Sequence, residues 1–185
     1  ADAAYTLLAT DRQASDYALR QRQEGEAIVQ AIRASGLRHV VCLSSLGADQ
    51  PGGTGVIAGL HAQEERLGQL QGVNVMLLRP ASFFENFHDA LGTVREMGVM
   101  ADSVRPELAV PMVSARDIAA VAARSLAARD WAGVKVQELI GPRDMSHLEV
   151  ARLLGERIGK PDLQYVHQPD EEMAGALVGS LPAIN

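Results

Sequence analysis

The chain has 185 residues, 47% of them hydrophobic and 4% aromatic, with a formal net charge of −6. That length fits one domain with a real core, and the shortage of aromatics leaves the core to Ala, Val, Leu and Ile, as in layered helix and sheet. The acidic balance, with Lys only at 135 and 160, argues against direct nucleic-acid binding, which needs clustered Lys and Arg. No apolar stretch reaches the roughly 18 residues of a membrane span. No signal-peptide pattern opens the chain, so a soluble, cytoplasmic protein is expected.

Residues 3–9 read as a short buried strand. Asp16 can cap a helix running to Ser35, with Leu19, Ala27, Ile28, Ala31 and Ile32 as its apolar stripe and Gly36 as its stop. Residues 39–44 form a continuous apolar run of strand length, typical of a parallel strand covered on both faces. It contains the lone Cys42, which reads as a small buried hydrophobe rather than a reactive thiol. A glycine-rich loop at 47–55 precedes a helix over about 56–70. Residues 73–78 are another buried strand, closed by Arg79 and Pro80.

A helix follows at about 83–96, then a short strand at 108–113 interrupted by Pro111, and an Ala-rich helix over 114–129 with Asp117 near its start. Residues 134–140 make a further strand. Ser146 and Glu149 have capping-box spacing for a helix to about 158, stopped by Gly159. A short strand at 163–166 and a helix at 171–178 complete the pattern. Alternating helices and uninterrupted apolar strands predict an α/β fold, a doubly wound parallel sheet with right-handed crossovers.

In such sheets ligands bind beyond the C-terminal ends of the strands. That rule selects Ala9, Thr10 and Asp11; the run 44–47; the run 79–83; and Gly141 with Pro142.

Three segments carry a family likeness: Leu43-Ser44-Ser45-Leu46-Gly47; His61-Ala62-Gln63-Glu64-Glu65-Arg66-Leu67; and the run from Leu77 through Arg79, Pro80, Ala81, Ser82 and Phe83 to Asn86. With Val113 to Ala119 and Leu139 to Pro142, their order and spacing resemble the NmrA-like group of atypical short-chain dehydrogenases. The resemblance covers nearly the whole chain. It implies a Rossmann-like domain binding NADP or NAD, with residues of about 83–113 and 141–185 forming a small C-terminal α/β substrate lobe. Members include NADPH-dependent quinone and dye reductases, and proteins that bind the cofactor as redox sensors. Carried onto this chain, the resemblance implies cofactor contacts from Thr10, Ser44, Ser45, His61, Pro80, Ala81 and Phe83, with His61 as the candidate catalytic residue.

Two departures are visible. The glycine-rich phosphate turn with which these folds open is missing, and residues 3–9 align with the fourth strand. The chain is therefore expected to be N-terminally truncated relative to the family. An unpaired first strand would then favour membership of a longer polypeptide or self-association. The second departure is the Tyr-x-x-x-Lys pair of ordinary short-chain dehydrogenases, where Lys lowers the Tyr pKa for proton exchange. Here those positions hold Ile57 and His61.

Plainer readings stand beside these. His61 and Glu65, one turn apart, can form a surface pair. Ser44 and Ser45 can simply satisfy backbone groups at a strand end. Arg79 suits a strand anchor with Asn86 as its candidate helper. Met97, Met100 and Met112 suit core filling or an adaptable apolar wall. No metal site is expected, because His61 and Glu64 lack a third ligand at sensible spacing. A serine hydrolase is disfavoured by the lack of a Gly-x-Ser-x-Gly elbow.

Two functions of different class remain. One is an NAD(P)H-dependent oxidoreductase acting on a quinone-like or other small electron acceptor. The other is a non-catalytic cofactor sensor that binds a regulatory protein partner. A nucleotide-sugar epimerase is a weaker third. A small-molecule substrate, no nucleic acid, no membrane and self-association are the expected partner pattern.

Overall fold

The computed structural model describes residues 1–9 and 16–169. Thr10 and the helix expected at 171–178 lie outside them. In chain order the elements are β1 (Ala3–Thr6), α1 (Tyr17–Ser35), β2 (His39–Leu43), α2 (Ala58–Gly68), β3 (Asn74–Pro80), β4 (Ser82–Phe83), α3 (Leu91–Glu96), β5 (Val99–Asp102), β6 (Ala109–Val113), α4 (Ala115–Ala128), β7 (Val134–Leu139), β8 (Asp144–Ser146), α5 (His147–Arg157) and β9 (Gln164–His167). They divide into two compact units, Ala1–Ala81 with Ala115–Leu139, and Ser82–Ser114 with Ile140–Asn185.

The first unit is a parallel sheet in the order β1-β2-β3-β7. Strand alternation sends Val40, Cys42, Val75 and Leu77 to one face. There they pack with Val29 and Ile32 of α1 and with Leu67 and Leu70. Helix α4 runs along β1, β2 and β3, and its buried Ile118 and Ala122 leave that cluster for the face carrying Val41 and Leu78. The parallel α/β expectation therefore holds in this unit. At the edge, β7 is exposed from Val134 through Glu138.

Asp16 caps α1 as expected, accepting from the Leu19 amide at 2.8 Å, and Gly36 closes it at φ 69°. The expected stripe is wrong in part. Leu19, Ala27 and Ala31 face solvent, whereas Gln21, Gly25, Val29 and Ile32 are buried. The cause is close packing against α2: Gln21 lies over Gly59, and Gln63 lies over Gly25, where any Cβ would overlap the glutamine tips. Two glycines thus let two buried amides pass between the helices, and the helix face follows them rather than the aliphatic count.

Strand β3 also runs further than expected, through Arg79 and Pro80. The proline does not end the ladder because no bond there needs its missing N–H: Pro80 accepts from the Leu46 amide, and the next donor is Ala81, to Leu139. By contrast, β1 stops at Thr6, short of the expected residue 9.

The second unit is built from shorter pieces. β4 and β6 are parallel, β8 joins β6 antiparallel, and β5 pairs with β9. The expected helix at 83–96 is instead strand at Phe83, a 3₁₀ segment over Phe84–Ala90 and the short α3; pairing of Ser82 and Phe83 with Met112 and Val113 claims its start. Met100 and Met112 are core, with Val94, Val150, Ala151 and Leu163, while Met97 is 70% exposed. Ser146 caps α5, accepting from the Glu149 amide at 3.1 Å. The Glu149 carboxylate turns to Arg143 at 2.6 and 2.8 Å instead of back to the cap.

Gly155, in the middle of α5, faces the Lys160 carbonyl so closely that a Cβ would overlap this backbone oxygen and press on Leu163. Helix propensity alone favours Ala over Gly by about 1 kcal/mol. Gly155→Ala is nevertheless expected to destabilise the protein by about 1–2 kcal/mol in urea denaturation, because backbone must shift; a stabilising result would refute this packing.

His147, the first residue of α5, is 7% exposed and sits against the rings of Phe87 and Tyr165. Burial lowers its pKa, an effect Asp102 at 3.8 Å partly opposes. A lowered folded pKa means that the unfolded chain binds the proton more readily. The stability due to neutral His147 is therefore complete above the ordinary histidine value and is lost as pH falls from there through the folded value. Urea midpoints at about pH 7.5 and about pH 5.5 should differ more in the wild type than in His147→Phe.

Candidate functional site

The C-terminal ends of β2 and β3 lie side by side, and short contacts extend them into the following loops. The Ser44 amide donates to the Leu78 carbonyl at 2.7 Å and the Leu46 amide to Pro80 at 2.9 Å. The loop then turns tightly, with the Ala48 amide on Ser45 and the Gln50 amide on Gly47. Gly47 has φ 86°, a left-handed conformation open to glycine at little cost. Ser44, Ser45, Pro80 and Ala81 are thereby brought to one end of the sheet, with α2 beside them.

A buried ionic cluster fixes α2 to both strands. Glu64 is 8% exposed. Its Oε1 accepts from Ser44 Oγ at 2.5 Å and from Arg79 Nε at 3.0 Å, and its Oε2 accepts from Arg79 Nη2 at 2.6 Å. The two Arg79 bonds form the bidentate fork a guanidinium makes with a carboxylate. Those bonds raise the Arg79 pKa above the ordinary guanidinium value. Arg79 is thus the anchor the sequence suggests, but its partner is Glu64 rather than Asn86.

His61 lies one turn before Glu64. Its Nδ1 is 2.8 Å from the Ala48 carbonyl; a carbonyl only accepts, so Nδ1 carries the proton and Nε2 of the neutral ring keeps its lone pair. Nε2 is 3.7 Å from Glu65, whose side chain is 66% exposed, so the surface pair exists and is weak. Ser44 gives its only hydroxyl proton to Glu64, and Ser45 gives its own to the Leu46 carbonyl at 2.9 Å. The lone pairs left uncommitted by these bonds are those of the Ser45 oxygen and His61 Nε2. In the same loop Thr54 Oγ1 is buried without a partner.

Of the other expected site residues, Phe83 lies on β4 in the second unit and Thr10 lies outside the described residues. Cys42 is buried, and burial pushes its thiol up to about 11; the inert reading of this residue fits. Glu64 is the residue the sequence reading undervalued. Its signal was an acid three residues before the buried Leu67, on the inward side of the helix, where a carboxylate must have a partner.

Removing one member of a buried pair leaves an unpaired charge, whereas removing both can cost far less. Arg79→Met should lower the unfolding free energy by about 3 kcal/mol, and the double variant Glu64→Met/Arg79→Met should recover part of that loss in the same urea titration. Equal or additive losses would contradict a mutually compensating pair.

No family profile matches the chain. Among curated proteins, it is 27% identical over 163 residues to a (4-alkanoyl-5-oxo-2,5-dihydrofuran-3-yl)methyl phosphate reductase of Streptomyces griseus, covering 82% of this chain and 57% of that one. It is 30% identical over 146 residues to agroclavine dehydrogenase of Claviceps fusiformis, covering 77% and 48%. The chain thus spans about half the length of the curated relatives it matches. Among solved structures, it superposes with TM-score 0.77 at 23% identity on an NADPH-dependent quinone oxidoreductase of Escherichia coli complexed with NADPH, covering 98% of this chain and 60% of that one. A triphenylmethane reductase of Citrobacter complexed with NADP(H) gives 0.72 at 20% identity, covering 98% and 61%. The fold of this chain is the mainly parallel, Rossmann-like α/β fold that these reductases share.

Proposed function

We propose that this chain forms the nicotinamide end of an NAD(P)H-dependent oxidoreductase of NmrA-like type, acting on a quinone-like or other small electron acceptor. The observation that carries this reading is the strand end at which Ser45 Oγ has a lone pair to offer the cofactor and His61 Nε2 has one that can take up and release a proton. A nicotinamide riboside presents amide N–H and ribose O–H donors, so the donor and acceptor sets fit. The likeness to NADPH-binding reductases supports the same reading.

Ser44, Ser45, His61, Pro80 and Ala81 are the residues proposed to line the cofactor; the second unit is the proposed substrate lobe. Bound NAD(P)H supplies a hydride. The chain's own contribution is to orient and to protonate. Pro80 and Ala81 present apolar surface that excludes water. His61 in its imidazolium form holds a second proton at Nε2 and gives it to the acceptor's oxygen, while the Ala48 carbonyl keeps the ring oriented through Nδ1.

One observation favours a second reading, the cofactor sensor with a regulatory protein partner: Ile57 and His61 stand where ordinary short-chain dehydrogenases carry Tyr and Lys. Calorimetric titration with NADPH and NADH, followed by NADPH oxidation against a quinone panel, separates the two. The oxidoreductase reading expects micromolar-range binding with turnover, and His61→Phe is expected to lower kcat by about 100-fold while shifting cofactor affinity little. Binding without turnover selects the sensor. No binding by the folded protein rejects both.

A further inference from the structure

We propose that Glu64 and Arg79 are positioning residues for His61, setting the roll of α2 so that the imidazole is held in its Nδ1–H form. The proposal deepens the reading just given, since it rests on His61 facing the nicotinamide end. It starts from how poorly α2 is fixed at its own N-terminus. The helix follows a 3₁₀ segment, Gly55–Ile57, and no side chain caps it at Ile57. Its inward contacts at Leu67 are aliphatic and have no direction of their own, and toward α1 Gln63 donates one long bond, 3.4 Å, to the Gly25 carbonyl, weaker than the charged bonds at Glu64.

Directional bonds reach α2 from the two strand ends at a single residue. Ser44 on one side and Arg79 on the other meet the same carboxylate, with three bonds of 2.5 to 3.0 Å. A helix with side chains has a radius of about 5–6 Å, so a roll of about 20° carries a group on its surface through about 2 Å. Such a shift would break the 2.8 Å contact between His61 Nδ1 and Ala48. Ala48 itself cannot follow: it is fully buried in the tight turn that begins at Ser45. Without that carbonyl, a neutral imidazole exchanges between its two tautomers, and the lone pair no longer faces one way.

The tautomer can be read without any cofactor, from the ring nitrogens of His61 by ¹⁵N NMR, assigned through His61→Phe. The wild type should show a neutral ring protonated at Nδ1. In Glu64→Met/Arg79→Met, which removes the pair without leaving a buried charge, the Nδ1–H share should fall well below half, because water leaves a neutral histidine side chain mostly in its Nε2–H form. Glu64→Gln keeps the shape and one acceptor oxygen; it should give an intermediate share, and carries the test if the double variant does not fold. A wild-type ring protonated at Nε2 would overturn the proposal. So would an unchanged ring spectrum in folded variants whose melting temperature drops, since the pair would then serve stability alone. NADPH calorimetry on the same wild-type sample reports separately on the cofactor reading: the expected ring spectrum with no heat of binding rejects that reading and leaves the positioning role standing.

Discussion

A carboxylate in the interior is tolerable only if its charge is answered and its oxygens are filled. Glu64 meets both conditions through Arg79 and Ser44, which come from different strands. The strands cannot separate, nor can α2 lift away, without exposing one charge to an apolar interior. Pairing of Leu46 with Pro80 and of His61 with Ala48 extends the connection from the strand ends into the loop. The local geometry depends on this arrangement far more than on surface pairs such as Arg152 with Glu156, which contribute little in water.

The strand-end serines differ in what they can offer from the Tyr and Lys pair of an ordinary short-chain dehydrogenase. A Tyr and Lys pair would offer a proton to the substrate from a phenol. Here the hydroxyl protons of both strand-end serines are already committed within the protein. A Rossmann-like fold can carry either arrangement at this strand end, because function resides in the site and not in the fold.

Much of the fold was legible because long apolar strands and capped helices leave local marks. The runs at β2 and β3, the Asp16 cap and the Ser146 cap all carry their own physical cause. The α1 stripe misled because two glycines admit buried glutamines from the neighbouring helix, and that exchange has no period within one helix. Strands β4, β5 and β8 are two to four residues long, too short for alternation to show; their partners define them. At the site, the positions after each strand followed from the geometry of parallel sheets, whereas the Ser44–Glu64–Arg79 bonds join residues that only the folded chain makes neighbours.

The outer strand β7 has one further consequence. Val134, Lys135, Val136, Gln137 and Glu138 are all exposed, and among the described residues β7 is an outer strand of the four-stranded sheet. The two valines alone would make it a template for cross-β growth. Lys135 between them, with Glu138 beyond, places charges that would stack on like charges in any parallel, in-register assembly. These residues pair with β3 through their backbone, while their exposed side chains disfavour amyloid-like aggregation, and an alignment scored only for core or catalytic importance would overlook them.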